Sequence, residues 1–563
     1  MLAFWSKLKA RPSRHPLATV SIASLSVLAL FLSLVAVALG ERGAAPAAPG
    51  EAASTASPPL GVCGDRPTHA VRETRGMTLT TVVNIDFPSQ PGLPAELVKQ
   101  EYLGWLDLAV AQRHNAIFVH IRPSGDAFWP SEYAPWSEWL TGNRSGADPG
   151  WDPLAFMIEE AHKRNIEFHG WFNPYRGGQP GPRGPGGDIN NLAPNHPLRQ
   201  HPEWAIVYPV GVAGANTSGS RLYFDPGIPE ARRYIEDSIL EAVAKYDLDG
   251  VFFDDFFYPY PENGQEFNDD ASYATYGGGM SRADWRRSNV DTFVREMSER
   301  IKELKPWVKF GISPFGIWRN VSNDPQLGSQ TRGLSAYDEI YADTRKWVKE
   351  EWLDYIAPQL YWHIGFDRAD YATLVEWWSR QIEGTRVQLW IGHGNYRIGE
   401  PGVWSDPAEL DRQLTLNKQY PVTGGVHYTA HTIRNDVLGA VTRYRDAHYY
   451  APALPAVMPH LPAAPPPQPV IMESTMDDNG QVTLRWQGEG ATSYAIYRYG
   501  EGDQTAELVA TVRATGDGEQ SIVDGPGGSG PYGYCVSGLD RTWNEGPASA
   551  PVTVAPAGEG SDG

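Results

Sequence analysis

The stretch DLDGVFFDDFFYPY, residues 247–260, ends an apolar run on two adjacent carboxylates, Asp254 and Asp255. Phe256, Phe257, Tyr258 and Tyr260 follow them. Paired carboxylates are the equipment of glycoside hydrolysis, where one protonates the leaving oxygen. A carboxylate nucleophile must face its partner acid across the scissile bond at about 5–5.5 Å, and sequence neighbours rarely straddle a bond that way. Neighbours suit a substrate-assisted route better, in which one carboxylate orients and polarises an N-acetyl group of the substrate and the other is the acid. Adjacent side chains of a strand point to opposite faces, but at the strand's end the chain turns and both can reach one mouth. The surrounding rings would raise the acid's pKa by desolvation. Two alternatives stand beside this reading. One aspartate caps the loop while the other reacts, or the pair joins Asp269 and Asp270 in a Ca²⁺ site. A route with a separate second acid would draw on Glu262 or Glu266.

Side chains of this kind need a scaffold that brings strand ends together. Strand-like runs recur at 77–85, 115–123, 166–175, around 250–257, 308–316, 353–362, 386–394 and 423–430, with helical spacing between them. Eight such units predict an α/β fold, a (β/α)8 TIM-type barrel, with a doubly wound open sheet as the alternative. The barrel is favoured because each strand's C-terminal end carries polar or aromatic groups, and barrel active sites sit at that face. These groups are Asn84 and Asp86, Arg122, Asn173 with Tyr175 and Arg176, the aspartate pair with Tyr258, Ser313, Gln359 with Tyr361 and Trp362, His393 with Asn395 and Tyr396, and His427. Tyr361 is expected to steady an N-acetyl carbonyl, and Trp362 to stack on a sugar. Trp129, Trp171 and Trp318 are further stacking candidates. Arg122 and Arg176 can meet an acidic sugar substituent such as a lactyl carboxylate, or simply pair with Asp126 or another rim acid.

Outside the barrel, Lys7, Lys9, Arg11 and Arg14 precede an uncharged run from Leu17 to Gly40. This predicts a cytoplasmic segment at 1–16 and a transmembrane helix or signal anchor at 17–40, with the body outside the cytoplasm. Cleavage after VALG would instead release a secreted protein. An Ala/Pro-rich tether is expected at 41–66 and the barrel at 67–450. A Pro-rich, semi-rigid linker at 451–469 is followed by short alternating strands of a β-sandwich at 470–556 and a disordered tail at 557–563. Cys63 and Cys535 are the two cysteines. They pair if the body lies in an oxidising compartment, or stay unpaired.

Composition excludes several functions. A net charge of −20, from 47 basic and 67 acidic residues, argues against a nucleic-acid partner. Two cysteines and scattered histidines lack metal-ligand spacing, so no metal or cofactor is expected. Phosphate-binding glycine loops and the Gly-x-Ser-x-Gly elbow are missing, and YRGGQPGPRGPGGD (175–188) reads as a loop over the mouth. Aromatic residues at 12%, including 20 Trp and 27 Tyr, fit either large cores or sugar-facing rings.

Six ordered motifs, RGMTLTTVVNIDFPS, RPSGDAFWPSEYAPWSEWLTG, WDPLAFMIEEAHKRNIEFHGWFNPYR, DGVFFDDFFYPYP, WRRSNVDTFV and GISPFGIWRN, resemble the glycosyl-hydrolase-like family ten of bacterial cell-envelope proteins. The resemblance covers about residues 72–444. It implies a (β/α)8 barrel that hydrolyses peptidoglycan glycan strands stripped of their stem peptides, as in division-associated members, with cell-division or cell-wall proteins as partners. Residues 467–554 look like a fibronectin type III domain. Three departures stand out. Met77 and Thr78 replace a Val-Trp pair, Asp225 stands where Asn is usual and adds a carboxylate near the mouth, and Phe256 replaces Tyr. The resulting expectation is a membrane-tethered, outward-facing glycosidase with Asp255 as general acid/base and Asp254 orienting the acetamido group. Its rivals are a non-catalytic glycan-binding scaffold and a hydrolase of another extracellular polysaccharide.

Overall fold

The computed structural model describes residues 61–180, 184–209, 220–262, 264–516, 518–527 and 530–555. The expectations for 1–16, 17–40, most of the tether and the tail lie outside them. Among the described residues no helix is long and apolar enough to cross a membrane.

Eight parallel strands close a barrel: β1 (Thr74–Leu79), β2 (Ala116–Arg122), β3 (Glu167–Phe172), β4 (Gly250–Phe253), β5 (Lys309–Ile312), β6 (Tyr355–Ile356), β7 (Gln388–Gly394) and β8 (Val422–Tyr428). Closure comes from β8 pairing with β1, from Gly424 opposite Thr74 to His427 opposite Met77. The open-sheet alternative is thereby overturned. Helices follow the strands: α1 (Ala95–Ala111), α2 (Pro153–Lys163), α3 (Pro229–Lys245), α4 (Arg282–Leu304), α5 (Thr344–Lys349), α6 (Tyr371–Ile382), α7 (Glu409–Asn417) and α8 (Ala440–His448).

Large rings fill the barrel interior because glycines on neighbouring strands leave room. A Cβ on Gly250 would lie 2.2 Å from the His169 ring, and one on Gly311 would lie 2.1 Å from Tyr355. Phe118 stacks on His169 with centroids 4.5 Å apart, and Tyr355 on Trp390 at 3.7 Å. Branched residues usually dominate such layers. Here bare backbone faces ring instead.

Two strands differ from expectation. The first starts three residues before the predicted 77 and stops at Leu79, because Asp86 Oδ2 accepts from the Thr80 N–H and Val83 and Asn84 adopt left-handed backbone in the following turn. The sixth shrinks to two residues. Pro358, which has no N–H to give a ladder, interrupts it, and Gln359 resumes as single bridges to Phe315 and Gly392.

The chain outside the barrel is more tightly built in than its composition suggests. Val62–Cys63 and Arg66–His69 are strands, and the latter runs parallel to Ala506–Arg513 of the C-terminal region, so the tether ends before Val62. Cys63 is disulfide-bonded to Cys535 with Cα atoms 5.7 Å apart. The Pro-rich stretch at 451–469 is not a free linker. Ala453–Leu454 pairs with Val71–Arg72, and Met458 and Leu461 are buried against Phe118, Phe252 and Trp390. Its apolar residues find a surface to bury against at the barrel's open lower end.

Beyond it, Val470–Met476, Val482–Gln487 and Glu519–Asp524 form one antiparallel sheet. Ser493–Tyr499, Ala506–Arg513, Tyr532–Leu539, Glu545–Ala548 and Val552–Val554 belong to a second. Leu484, Trp486, Tyr494, Ile496, Tyr534 and Val536 share the core between them. This unit meets the N-terminal end of the barrel. Trp543 Nε1 donates to Glu167 Oε1 at 2.5 Å, Arg541 pairs with Asp247 at 2.5 Å, and Ser493 Oγ bonds Asn165 Oδ1 at 2.6 Å. Glu167 opens β3, so the sheets lie at the end opposite the strand tips that carry the aspartates.

Candidate active site

β4 delivers both aspartates to the mouth, where they are only 4% and 3% exposed. Their surroundings differ sharply. Asp254 is saturated. Trp171 Nε1 donates to its Oδ2 at 3.1 Å, Asn173 Nδ2 reaches both oxygens at 3.1 Å, and the Phe256 N–H donates to Oδ1 at 3.3 Å. Trp171 and Asn173 are two residues apart at the end of β3 and so face the same way. Asp255 accepts the Tyr260 hydroxyl on Oδ2, while among the described residues its buried Oδ1 has no partner that meets hydrogen-bond geometry, the Gln359 amide acting on the carboxyl less directly.

Burial pushes both carboxyls up. Asp254 rises to about 6, with Asp255 adding to the rise and Arg176 opposing it. Asp255 rises for the same first reason, and the Tyr260 hydroxyl and Gln359 amide oppose it. Two carboxylates so close do not both ionise easily, and their titrations belong to the pair.

Rings enclose the pair. Trp171 stacks on His120 at 4.1 Å, and Tyr260 lies between Phe256 (5.7 Å) and Phe315 (5.9 Å), with Trp362 beyond at 5.5 Å from Phe315. Tyr361, Tyr396 and Tyr428, from the ends of β6, β7 and β8, pack at 5.7–6.0 Å from one another. Burial raises the pKa of all three, and the charge of Asp255 adds to it, so they stand as neutral phenols around the acid. Arg176 opens a short antiparallel excursion in which it pairs with Tyr223. Its Cζ lies 4.2 Å above the Phe256 ring. With the Gln179 amide oxygen turned toward it, Nε and Nη1 donate at 2.8 and 3.0 Å.

Asn173, Arg176, Gln359, Tyr361, Trp362 and Tyr396 therefore gather around the pair, and Gln359 is fixed by donating to Ser313 O at 2.9 Å. Other anticipated residues serve the scaffold. Asn84 donates to Pro88 O and Trp139 O, and Asp86 holds Thr80 N and His431. Arg122 is fully buried and donates to the carbonyls of Asn173 and Pro174, so it braces the β3 end. Tyr175 turns outward onto Phe293 of α4, and the Tyr258 hydroxyl accepts from Asn289 of the same helix. Asp225 is occupied by Ser272 Oγ and Gly227 N, and Asn395 by His427 Nδ1. Except at Tyr175, a backbone or side-chain group near the strand tip claims the polar atom first.

Of the spare acids, Glu262 faces Arg221 at 3.7 Å, and Glu266 is solvent-exposed, 3.6 Å from Arg286. Asp269 is paired to Arg286 at 2.7 Å, and no group of three or more potential metal ligands occurs among the described residues. Sequence reasoning missed the roles of Trp171, Tyr260, Tyr428 and Gln179. Only the i, i+2 spacing of Trp171 and Asn173 signalled one of them.

A closed parallel barrel presenting a buried, unequal aspartate pair inside an aromatic rim at its C-terminal face defines a (β/α)8-barrel glycosidase. The chain belongs to the family described as Glycosyl hydrolase-like 10, which matches residues 73–409. It is 43% identical to Glycosyl hydrolase YngK of Bacillus subtilis (strain 168) over 493 residues, 86% of this chain and 93% of that one. It is 42% identical to Glycosyl hydrolase DigH of Escherichia coli (strain K12) over 369 residues, 62% of this chain and 81% of that one. Among solved structures, the PgaB (BpsB) glycoside hydrolase domain from Bordetella bronchiseptica resembles it with a TM-score of 0.44 and 14% identity, over 67% of this chain and 98% of that one.

Proposed function

We propose that this glycosidase cleaves the N-acetylated glycan strands of bacterial peptidoglycan, acting on strands that lack stem peptides. Asp255 is the general acid/base. Asp254 is the fixed anion against which the substrate's acetamido group is oriented and polarised. The observation that carries this reading is the asymmetry of the pair. Four hydrogen-bond contacts favour the charged form of Asp254, whereas among the described residues only the Tyr260 hydroxyl meets hydrogen-bond geometry at Asp255, on Oδ2, which leaves Oδ1 to hold and deliver a proton. Among the described residues none of the groups that hydrogen-bond the pair is a further carboxylate, which favours substrate assistance over a protein nucleophile. The aromatic rim supplies apolar faces for sugar rings.

The same reading places the protein outside the cytoplasm, anchored through 17–40. The Cys63–Cys535 disulfide fits an oxidising compartment. The C-terminal sheets are read as a fibronectin type III-like unit whose place is to seal and support the barrel base.

The test is product analysis by mass spectrometry. The full-length chain and its Asp254→Asn and Asp255→Asn forms are incubated with peptidoglycan strands whose peptides an amidase has removed. Soluble N-acetylated fragments from the wild type alone support the reading. Binding without release, while a control lysozyme digests the same strands, defeats it.

A further inference from the structure

Arg176 is a buried cation to which, among the described residues, no carboxylate is hydrogen-bonded. The residue is 4% exposed, and its guanidinium is held by the Gln179 amide oxygen and by the Phe256 ring face. It interacts with Asp254 and Asp255 through space and not by hydrogen bond. A guanidinium removed from water is costly unless nearby charge compensates it. The structure supplies that compensation only if the aspartates together carry negative charge.

The other groups facing the pair add little. Trp171, Asn173 and Gln359 are uncharged. Tyr223, Tyr260, Tyr361, Tyr396 and Tyr428 are all shifted upward by burial and remain phenols, and burial keeps His120 neutral. Arg221, on the adjoining excursion strand, has Glu262 as its own partner at 3.7 Å. One cation therefore faces two carboxyls, and neutrality is reached when the pair keeps a single proton. The location of the charge is also biased. The backbone N–H of Arg176 donates to Asn173 Oδ1 at 3.0 Å and fixes the amide whose other end donates to Asp254, a contact that does not depend on the guanidinium.

We propose that Arg176 is a positioning residue of the reaction: its buried guanidinium, stacked on Phe256 and anchored by Gln179, holds Asp254 as the anion and leaves the pair's one proton on Asp255. This rests on the roles proposed above for the pair. It gives Arg176 an internal task in place of recognising an acidic substituent on the sugar.

The experiment has an arm that needs no turnover. Infrared difference spectra of the full-length chain follow the carboxylic C=O stretch as pH is varied, comparing Asp255→Asn with Arg176→Met/Asp255→Asn. Subtracting the corresponding forms that also carry Asp254→Asn isolates Asp254. The expected result is that its midpoint rises by about one pH unit, a tenfold change in proton affinity, when Arg176 becomes Met. Arg176→Lys, which keeps the charge, should retain most of the original midpoint. Arg176→Gln, which keeps a hydrogen bond to Gln179, replaces Met if thermal melting shows that the Met form does not fold.

The second arm is the pH profile of kcat/KM on peptide-free glycan strands, whose acid limb should move up with the same variants. An unmoved midpoint in a folded, uncharged Arg176 variant overturns the proposal. A rise in KM confined to strands bearing anionic substituents, with the midpoint unmoved, does so as well and makes Arg176 a substrate contact. A shifted infrared midpoint with no hydrolysis of the strands leaves the role of Arg176 standing and removes the peptidoglycan reading.

Discussion

The indole N–H of Trp171, at the end of β3, donates to Asp254 Oδ2 on neighbouring β4 at 3.1 Å. The same indole lies flat on the His120 ring, with planes 9° apart. Packing thus fixes a donor whose acceptor sits on another strand, and hydrogen bonds to a charged group contribute about 1.5–3 kcal/mol. Trp171→Phe keeps the stacking and removes the donor. Its kcat/KM on glycan strands should fall by about 10- to 100-fold, with the acid limb shifted upward because the anion loses a stabilising bond. An unchanged rate would separate this hydrogen bond from catalysis.

The pH dependence of wild-type activity follows from the same pair. Asp254 must be ionised, and burial has raised it to about 6, so kcat/KM should decline as pH drops through about 6. Asp255 must hold its proton and is itself raised, so activity should fall again at higher pH. A profile flat from pH 5 to 8 would contradict the assignment.

Stability should move in the opposite sense to activity at Asp255. A carboxyl raised in the folded state contributes stability that is full below its unfolded pKa and is lost as pH rises through the folded value. At neutral pH the buried Asp255 is therefore a burden. Asp255→Asn, which keeps an acceptor for Tyr260, should raise Tm at pH 7 by about 2 °C while abolishing hydrolysis. Differential scanning calorimetry at pH 7 and pH 4 checks this, since the gain should shrink at the lower pH.

The barrel base predicts a structural dependence on the C-terminal unit. Trp543 reaches Glu167 at 2.5 Å, and Glu167 also pairs with buried Lys309 at 2.5 Å. Trp543→Ala should cost about 3–5 kcal/mol, as large-to-small changes at packed aromatics do, measured by urea unfolding. Loss of binding to glycan with no loss of stability would instead assign the unit to substrate capture.

Gly250 sets a steric limit on the interior. Gly250→Ala places a methyl 2.2 Å from the His169 ring, and the overpacking should destabilise the barrel by about 1–3 kcal/mol or more. Normal expression and an unchanged Tm would show that the His169 ring can move aside.

Much of this was legible in the chain as written. Alternating apolar runs and helical spacing are local signals, so the eight barrel strands and the placement of Asp254 and Asp255 at a strand tip could be read directly, as could the family motifs. The partner of each polar strand-end residue could not. Asn173 and Tyr175 are two residues apart in one motif, yet Asn173 holds Asp254 and Tyr175 packs outward on Phe293. Likewise Arg122 and Arg176 look alike in sequence, but one braces carbonyls while the other faces the pair.

The linker shows the same limit. Composition indicated a spacer at 451–469, but Met458 and Leu461 found apolar rings to cover at the open end of the barrel. Sequence determines which segments can form strands and which groups can do acid–base chemistry, because those depend on neighbours along the chain. Only the tertiary structure decides which donors reach which carboxylate and what lies across an interface, because hydrogen bonding and burial depend on neighbours in space.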